Sequence, residues 1–567
     1  MWAARFGPPV AALALSVAAL VPAFVGAASR DFWRPDEPDF AEHAKEMLQR
    51  GDLSVPYQNG APFAEKPILL YWGVVASSAL TGGEVTPFGS RVPSLAGGAL
   101  LLLVAAGAAT LMGGARDGPI ALAMLAATPL FFWQAQFLQM DALFSGLLAA
   151  ALLVEVLEMT SEKPSRARAL VVHAALGLAV LTKGPLALVV CGLVPLVRAA
   201  ATRSLHPLRA VFPLQGAAVV ALVAAPWYGA VISQLGWTYA RELLVRQNVV
   251  RFLSAWDHVH PFWFYLGSTV WTDFLPWTLP ALVGLALLWR SGSLAGRPER
   301  AACVTVLAVS VVFLSLSGSK QGKYLLFAYP FAAALAAVAV GEVARSPASS
   351  RRLETAMTWT LRGISALVLA GAVLLPFVVM RFQPAFAGRA PLVAAPFAAA
   401  GLLALAALRG GAPRPRRACA WLAGGFWVAQ GVVAATVFPV IDVLKTARPL
   451  YERLRPHVAH GEPLAYASSR FRCFPLLVLE RGVDHVASPG ALARWLMIHP
   501  DGWVIGGRQE LDSWGAAVPA GLTVVDSQQE GGDTGLVLRL AEASGASFST
   551  APAPRRSRSP ESTSPRS

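Results

Sequence analysis

Apolar residues recur along this chain in unbroken runs near twenty residues, separated by short polar or basic stretches. A helix rising about 1.5 Å per residue crosses ~30 Å of hydrocarbon with such a run. Runs lie at approximately 6–28, 92–112, 119–137, 142–158, 168–182, 184–200, 210–233, 263–289, 301–317, 324–343, 357–380, 391–408 and 418–438, about thirteen in all. They are continuous rather than alternating, which argues for helices and against a β-barrel. The pattern predicts a polytopic α-helical membrane protein.

Two longer segments interrupt the runs, at about 29–91 and 234–262. The first opens with "DEPDFAEHAKEMLQRG", which carries helix punctuation: Asp36 suits an N-cap, Pro38 the first turn and Gly51 the end. Phe40, Ala44, Met47 and Leu48 form an apolar stripe, with Glu42, Lys45, Glu46 and Gln49 away from it. This predicts a helix lying flat at the membrane surface. "PILLYWGVVASSAL" would rise only ~21 Å, too short to span upright, and also reads as interfacial. Residues 441–545 change character, with more charge, several turns and short β-like runs such as "GWVIGG", "LTVVD" and "GLVLRL". They predict a soluble α/β domain with a modest core, following a transmembrane domain over 1–440. The Pro/Ser/Arg-rich tail, 546–567, is expected to be disordered.

Composition agrees: 55% of residues are hydrophobic and 14% charged, against roughly 25% charged in soluble domains. In a soluble chain the net charge of +14 would raise nucleic-acid binding. Here the basic residues collect in short loops, as they do on the cytoplasmic side of membrane proteins. With the N-terminus inside, the cytoplasmic loops are "GGARDG", "SEKPSRAR", "RAATRSLHPLR", "RSGSLAGRPER", "ARSPASSRR" and "RGGAPRPRR", and every one contains Arg or Lys. The same parity puts 29–91, 234–262 and the C-terminal domain outside. Val25-Gly26-Ala27 resembles a signal-peptide cleavage site, but the length of the first run favours a retained helix. Cysteines at 191, 303, 419 and 473 show no paired spacing, so neither a disulfide framework nor a zinc site is suggested.

Asp36, Glu37 and Asp39 then stand within one helical turn beside a membrane surface. Helix capping is the local explanation. A carboxylate at that depth is nevertheless costly unless it is paired or used. Further polar residues break the apolar pattern on the outer side: Glu65, Lys66, Arg91, Asp141, Lys183, His258, His260, Lys320, Lys323 and Tyr324. Taken singly, each is an ordinary loop residue. Taken together, they occupy the outer ends of several helices and could converge on one cavity.

"DEPDFAEHAKEMLQRGDLSVPYQNGAPFAEKPILLYW", followed by "FGSRVPS", resembles the start of GT-C glycosyltransferases of the aminoarabinose-transferase and protein-mannosyltransferase (ArnT/PMT-like) type. "LGLAVLTKGPLAL", "HVHPFWFYL" and "SGSKQGKYLLFAYPF" resemble later elements of that family, in order across about 300 residues. Asp39-Phe40 departs from the Arg-Tyr common there, and Phe327 stands where a Pro is common, so the acceptor does not carry over.

The resemblance implies a GT-C fold and transfer of a sugar from a polyprenyl-phosphate donor to a glycolipid such as lipid A, or to a protein Ser/Thr. It places the enzyme in the inner membrane with its site on the periplasmic side, and implies inversion at the sugar carbon. It implies Asp36 as general base, with Glu37 and Asp141 the next acids. Glu65, Lys66, Arg91, Lys183, His258, Lys320, Lys323 and Tyr324 become candidates for holding phosphate or sugar, since a leaving phosphate needs cations or donors. Two carboxylates with a phosphate would suit Mg²⁺ or Mn²⁺, and His258 with Glu65 a transition metal, but no spacing decides on a metal. The competing reading is a transporter or flippase of lipid-linked saccharides, against which stand the absence of an obvious inverted repeat and the outer-rim position of the polar groups. A third is an assembly protein that binds through its outer domain.

Overall fold

The computed structural model describes residues 9–345, 351–409, 414–458, 461–467, 474–530 and 532–541. The predicted disordered tail at 546–567 and Cys473 lie outside them. The chain divides into two compact units, Met1–Asp442 and Val443–Ser567.

The first unit is helical, and every predicted apolar run has a helical counterpart. Among the described residues, eight helices are long and apolar enough to cross a membrane, nine if one bent pair counts as a single span. The thirteen predicted spans are therefore not all matched by full-length helices, because several are shorter or broken. Residues 119–137 form two helices, Gly118–Ala126 and Pro129–Gln136, bent by 73°. Pro129 pushes the residue before it out of the helical region, and Thr128 is extended, with ψ 127°. The run 263–289 breaks likewise. Turns replace helix over 273–277, around Pro276, before the helix Thr278–Arg290.

Close helix packing builds the frame of the site. A side chain at Gly97 would lie 2.3 Å from the Ala142 carbonyl oxygen, and one at Gly146 would lie 2.5 Å from the Gly97 carbonyl oxygen. The helices Pro87–Gly113 and Met140–Met159 thus touch backbone to backbone, as small residues permit inside a membrane. The first carries Arg91 and the second Asp141 near its start.

The helix predicted from "DEPDFAEHAKEMLQR" spans Asp36–Arg50 and ends at Gly51, whose φ of 67° is the left-handed conformation glycine supplies. One expectation fails: Asp36 is the first helical residue, and the N-cap position falls to Pro35. Burial extends beyond the apolar stripe to Glu37, Glu42, His43 and Glu46, alongside Ala44 and Met47. Polar contacts tie the helix to the segment that follows. Asn59 and Gly60 donate backbone N–H groups to Glu42 and Glu46 at 3.2 and 2.9 Å. Between them the strands β1 (Tyr57–Gln58) and β2 (Ala61–Pro62) make a small antiparallel hairpin.

The second unit holds β3 (Leu464–Tyr466), β4 (Asp484–His485), β5 (Trp503–Gly507), β6 (Leu522–Glu530) and β7 (Asp533–Leu540) in the order β4-β3-β5-β7-β6. Strand β3 pairs in parallel with β4 and β5, while β7 is antiparallel to β5 and β6. The three β-like runs of the sequence are β5, β6 and β7. Leu492, Trp495 and Leu496 of the helix Pro489–Ile498 join Val504, Leu536 and Leu538 in its core.

Candidate active site

The site begins with two adjacent carboxylates that the helix sends in different directions. Glu37 is fully buried and accepts from both sides. Arg30 reaches it at 2.5 and 3.2 Å, Arg91 at 2.8 and 2.7 Å, and the backbone N–H groups of Trp33 and Leu138 at 2.8 and 2.9 Å. Burial would raise its carboxyl, but Arg91 and Arg30 overcome this and hold it at about 2. Arg91 also donates to the carbonyls of Ala27, Arg30 and Asp31 at 2.7, 2.9 and 2.6 Å. Glu37 and Arg91, predicted respectively as a reacting acid and a phosphate ligand, are spent on joining the 27–37 segment to the helix Pro87–Gly113 and to Leu138.

Asp36 points away from this cluster. The Gln139 side-chain amide donates to its Oδ2, and among the described residues its Oδ1 has no hydrogen-bond partner. The Gln139 carbonyl oxygen accepts from Lys323 at 3.3 Å, and Lys323 approaches Asp141 at 3.5 Å. Asp141 in turn pairs with Lys183 at 2.5 Å, and Lys183 lies 4.3 Å from the centre of the Tyr324 ring. One chain of contacts therefore runs from Asp36 to Tyr324. Burial raises the Asp36 carboxyl above its ordinary value, while Lys323 and the Gln139 bond pull it down.

Lys183, Tyr324 and Lys66 face a cavity of about 340 Å³. Its polar end also carries Asn248, Arg251 and Ser319, and its wall is Leu186, Val189, Val249, Phe252, Phe313 and Leu314. The polar end is cationic. Burial, then the nearby Arg251 and Lys183, bring the Lys66 ammonium down to about 8. Arg251 is steadied by Asp257 at 2.6 Å. Like charges crowded at the head of an apolar groove are relieved by an anion with a greasy tail.

Local backbone explains the arrangement. Lys183 ends the helix Arg166–Lys183, and Gly184 follows at φ 93°. A side chain at Gly184 would sit 2.6 Å from the Asn248 oxygen, so only glycine fits both the conformation and the space. Gln247, Asn248 and Val249 reach the cavity from a π-helical stretch, Glu242–Val250, a geometry common at functional sites.

The structure thus brings together Asp36, Asp141, Lys66, Lys183, Lys323 and Tyr324. Glu65 is exposed beside Lys66. Lys320 instead knits two loops, while His258 is exposed. The His258 carbonyl accepts from the Lys320 backbone at 2.9 Å, and the Lys320 ammonium binds the carbonyls of His260 and Ser317. That ammonium is occupied by backbone and does not serve as a phosphate ligand here. The sequence reading missed Gln139, Asn248 and Arg251. Arg251 stood in "RELLVRQNVVRFL", a basic stretch in the second outer segment, but nothing distinguishes Gln139 in "FLQMD". Among the described residues, no three His, Cys, Asp or Glu side chains converge to hold a metal ion, and Asp141 is already paired with two lysines.

Similar sequences and folds occur among known proteins. Residues 10–234 match the family model of dolichyl-phosphate-mannose-protein mannosyltransferases. The chain is 31% identical over 361 residues to an undecaprenyl phosphate-alpha-4-amino-4-deoxy-L-arabinose arabinosyl transferase of Serratia proteamaculans, covering 62% of this chain and 63% of that protein. A Sodalis glossinidius protein of the same description is 30% identical over 363 residues, covering 61% and 62%. The chain therefore spans somewhat under two thirds of these relatives. Crystal structures of ArnT from Cupriavidus metallidurans superpose with a TM-score of 0.75 when bound to undecaprenyl phosphate and 0.76 in the apo state. Both are 21% identical and cover 94% of this chain; the bound structure is covered to 99% and the apo structure to 98%. The chain has the fold of these ArnT structures.

Proposed function

We propose that this chain, carrying the ArnT fold, is an integral-membrane glycosyltransferase. It moves a sugar from a polyprenyl-phosphate donor to a lipid A-like glycolipid or a protein acceptor. One observation carries the reading: a cavity whose cationic head, Lys66, Lys183 and Arg251, continues into an apolar wall, with Asp36 connected to it through Gln139, Lys323 and Asp141. The relatives are named for an undecaprenyl phosphate-linked aminoarabinose donor, and the matching family for protein mannosylation. Both describe this chemistry.

The donor phosphate sits against Lys66, Lys183 and Arg251 with its isoprenoid along Leu186, Phe252 and Phe313. The acceptor oxygen attacks the anomeric carbon, and its proton passes to the free Oδ1 of Asp36. The bond from the anomeric carbon to the phosphate oxygen breaks with its electron pair. The charge that develops on the phosphate falls on the cations and the Tyr324 hydroxyl. Displacement in one step inverts the anomeric carbon. The positive-inside pattern supports an extracytoplasmic site in the inner membrane. The transporter reading loses ground because the similar proteins and the matching family are named as transferases.

The test is transfer from purified polyprenyl-phosphate sugars by the enzyme in lipid nanodiscs. Asp36→Asn should abolish transfer while leaving expression, thermal stability and binding of polyprenyl phosphate near wild type. Full transfer by this variant would show that Asp36 is not the base.

A further inference from the structure

We propose that Gln139 is a positioning residue for the base: its amide holds Asp36 in one rotamer and ties that rotamer to Lys323. This rests on the reading of Asp36 as base.

The geometry is two-sided. Gln139 is 6% exposed and extended, with φ −145° and ψ 160°, in the link between the bent helix pair and the helix Met140–Met159. Its backbone carbonyl accepts from Ser94 at 3.3 Å, and the preceding Leu138 donates to Glu37 at 2.9 Å. The buried ion cluster therefore fixes both Asp36, through its neighbour Glu37, and the link from which Gln139 projects. The Gln139 side chain then closes the gap between them.

An amide is the one group that suits both neighbours. Its NH₂ faces the Asp36 carboxylate and its carbonyl oxygen faces the Lys323 ammonium. Turning the amide over would set oxygen against carboxylate and NH₂ against ammonium, repulsive at both ends, so the neighbours fix its orientation. A carboxylate there would repel Asp36, and an aliphatic chain would leave it to rotate. The charged groups facing Asp36 are Lys323, Asp39 on its own helix, and Asp141 at the start of the helix Met140–Met159. Of these Lys323 alone is positive, and it is shared with Asp141. The Gln139 bond is thus the neutral part of what keeps Asp36 ionised and aimed, and it occupies Oδ2, leaving Oδ1 for the acceptor proton.

Gln139→Leu separates positioning from structure. A hydrogen bond to a charged group is lost, so kcat should fall about tenfold to a hundredfold. Donor KM and binding of bare polyprenyl phosphate should stay within about twofold, since neither uses Gln139. The acid limb of kcat/KM should move to higher pH, because the donor that favoured the ionised carboxyl is gone. Gln139→Glu keeps the side-chain shape and should move the limb further in the same direction. It keeps the question open to measurement if the leucine variant fails to fold. Wild-type kcat in both variants would overturn the proposal, as would lower kcat with an unmoved acid limb. Asp36→Asn runs alongside. If that variant is inactive while Gln139 variants behave as wild type, this inference alone falls. If it transfers normally, the base assignment falls first.

Discussion

Replacing Glu37 by Gln tests whether two neighbouring carboxylates do different work. The substitution preserves shape and removes one negative charge from a site with no solvent exposure. Four of the contacts at Glu37 come from the guanidinium groups of Arg30 and Arg91, at 2.5 to 3.2 Å, and two from backbone N–H groups. Glutamine leaves both arginines buried without their counter-charge and turns an NH₂ toward donors. Removing one partner of a buried ion pair destabilises by about 3–5 kcal/mol. For a cooperative unit of 150–250 residues each kcal/mol moves Tm by about 2–4 °C, so about 6–20 °C is an upper range for this larger chain. Fluorescence-detected size exclusion of heated, detergent-solubilised protein reads the shift. The pH dependence has a definite sign. The Glu37 carboxyl lies at about 2 when folded against 4.5 ordinarily, so its contribution is complete above about pH 4.5 and is lost as pH falls toward 2. The Glu37→Gln variant should lose this acid sensitivity along with its stability. Wild-type thermal stability combined with absent transfer would refute the reasoning and return Glu37 to the chemistry as an acid.

Two further outcomes follow from the cavity. Lys66→Met should weaken binding of polyprenyl phosphate about tenfold or more, measured by tryptophan fluorescence or calorimetry in nanodiscs. In the wild type that affinity should decline as pH rises through about 8, where Lys66 loses its proton in the free enzyme, and the decline should be absent in the variant. Gly184→Ala should reduce donor affinity with transfer still detectable at saturating donor, because the added methyl meets Asn248 at a backbone φ of 93° and displaces Lys183. Unchanged donor affinity would show that the Lys183–Asn248 approach is immaterial.

What the sequence determined by itself was whatever depends on length and local pattern. Apolar runs long enough to cross hydrocarbon favour helices, because no water is present to satisfy the backbone, and each run is helical over most of its length, with breaks in 119–137 and 263–289. The end of the helix at Gly51 and the strands in "GWVIGG" and "GLVLRL" were equally local. So was the gathering of Asp36, Asp141, Lys66, Lys183, Lys323 and Tyr324 as candidates, since polar groups amid apolar runs are conspicuous. The division of labour among them was not local. Asp36 and Glu37 are indistinguishable as letters, yet successive helical residues project about 100° apart, and only the positions of Arg30, Arg91 and Gln139 decide which carboxylate is neutralised and which stays free. Lys320 and Lys323 stand three apart in one loop; one is consumed by the carbonyls of His260 and Ser317, the other faces Asp141. Gln139 and Arg251 join the site from 103 and 215 residues beyond Asp36, distances that tertiary packing closes and that no local pattern encodes.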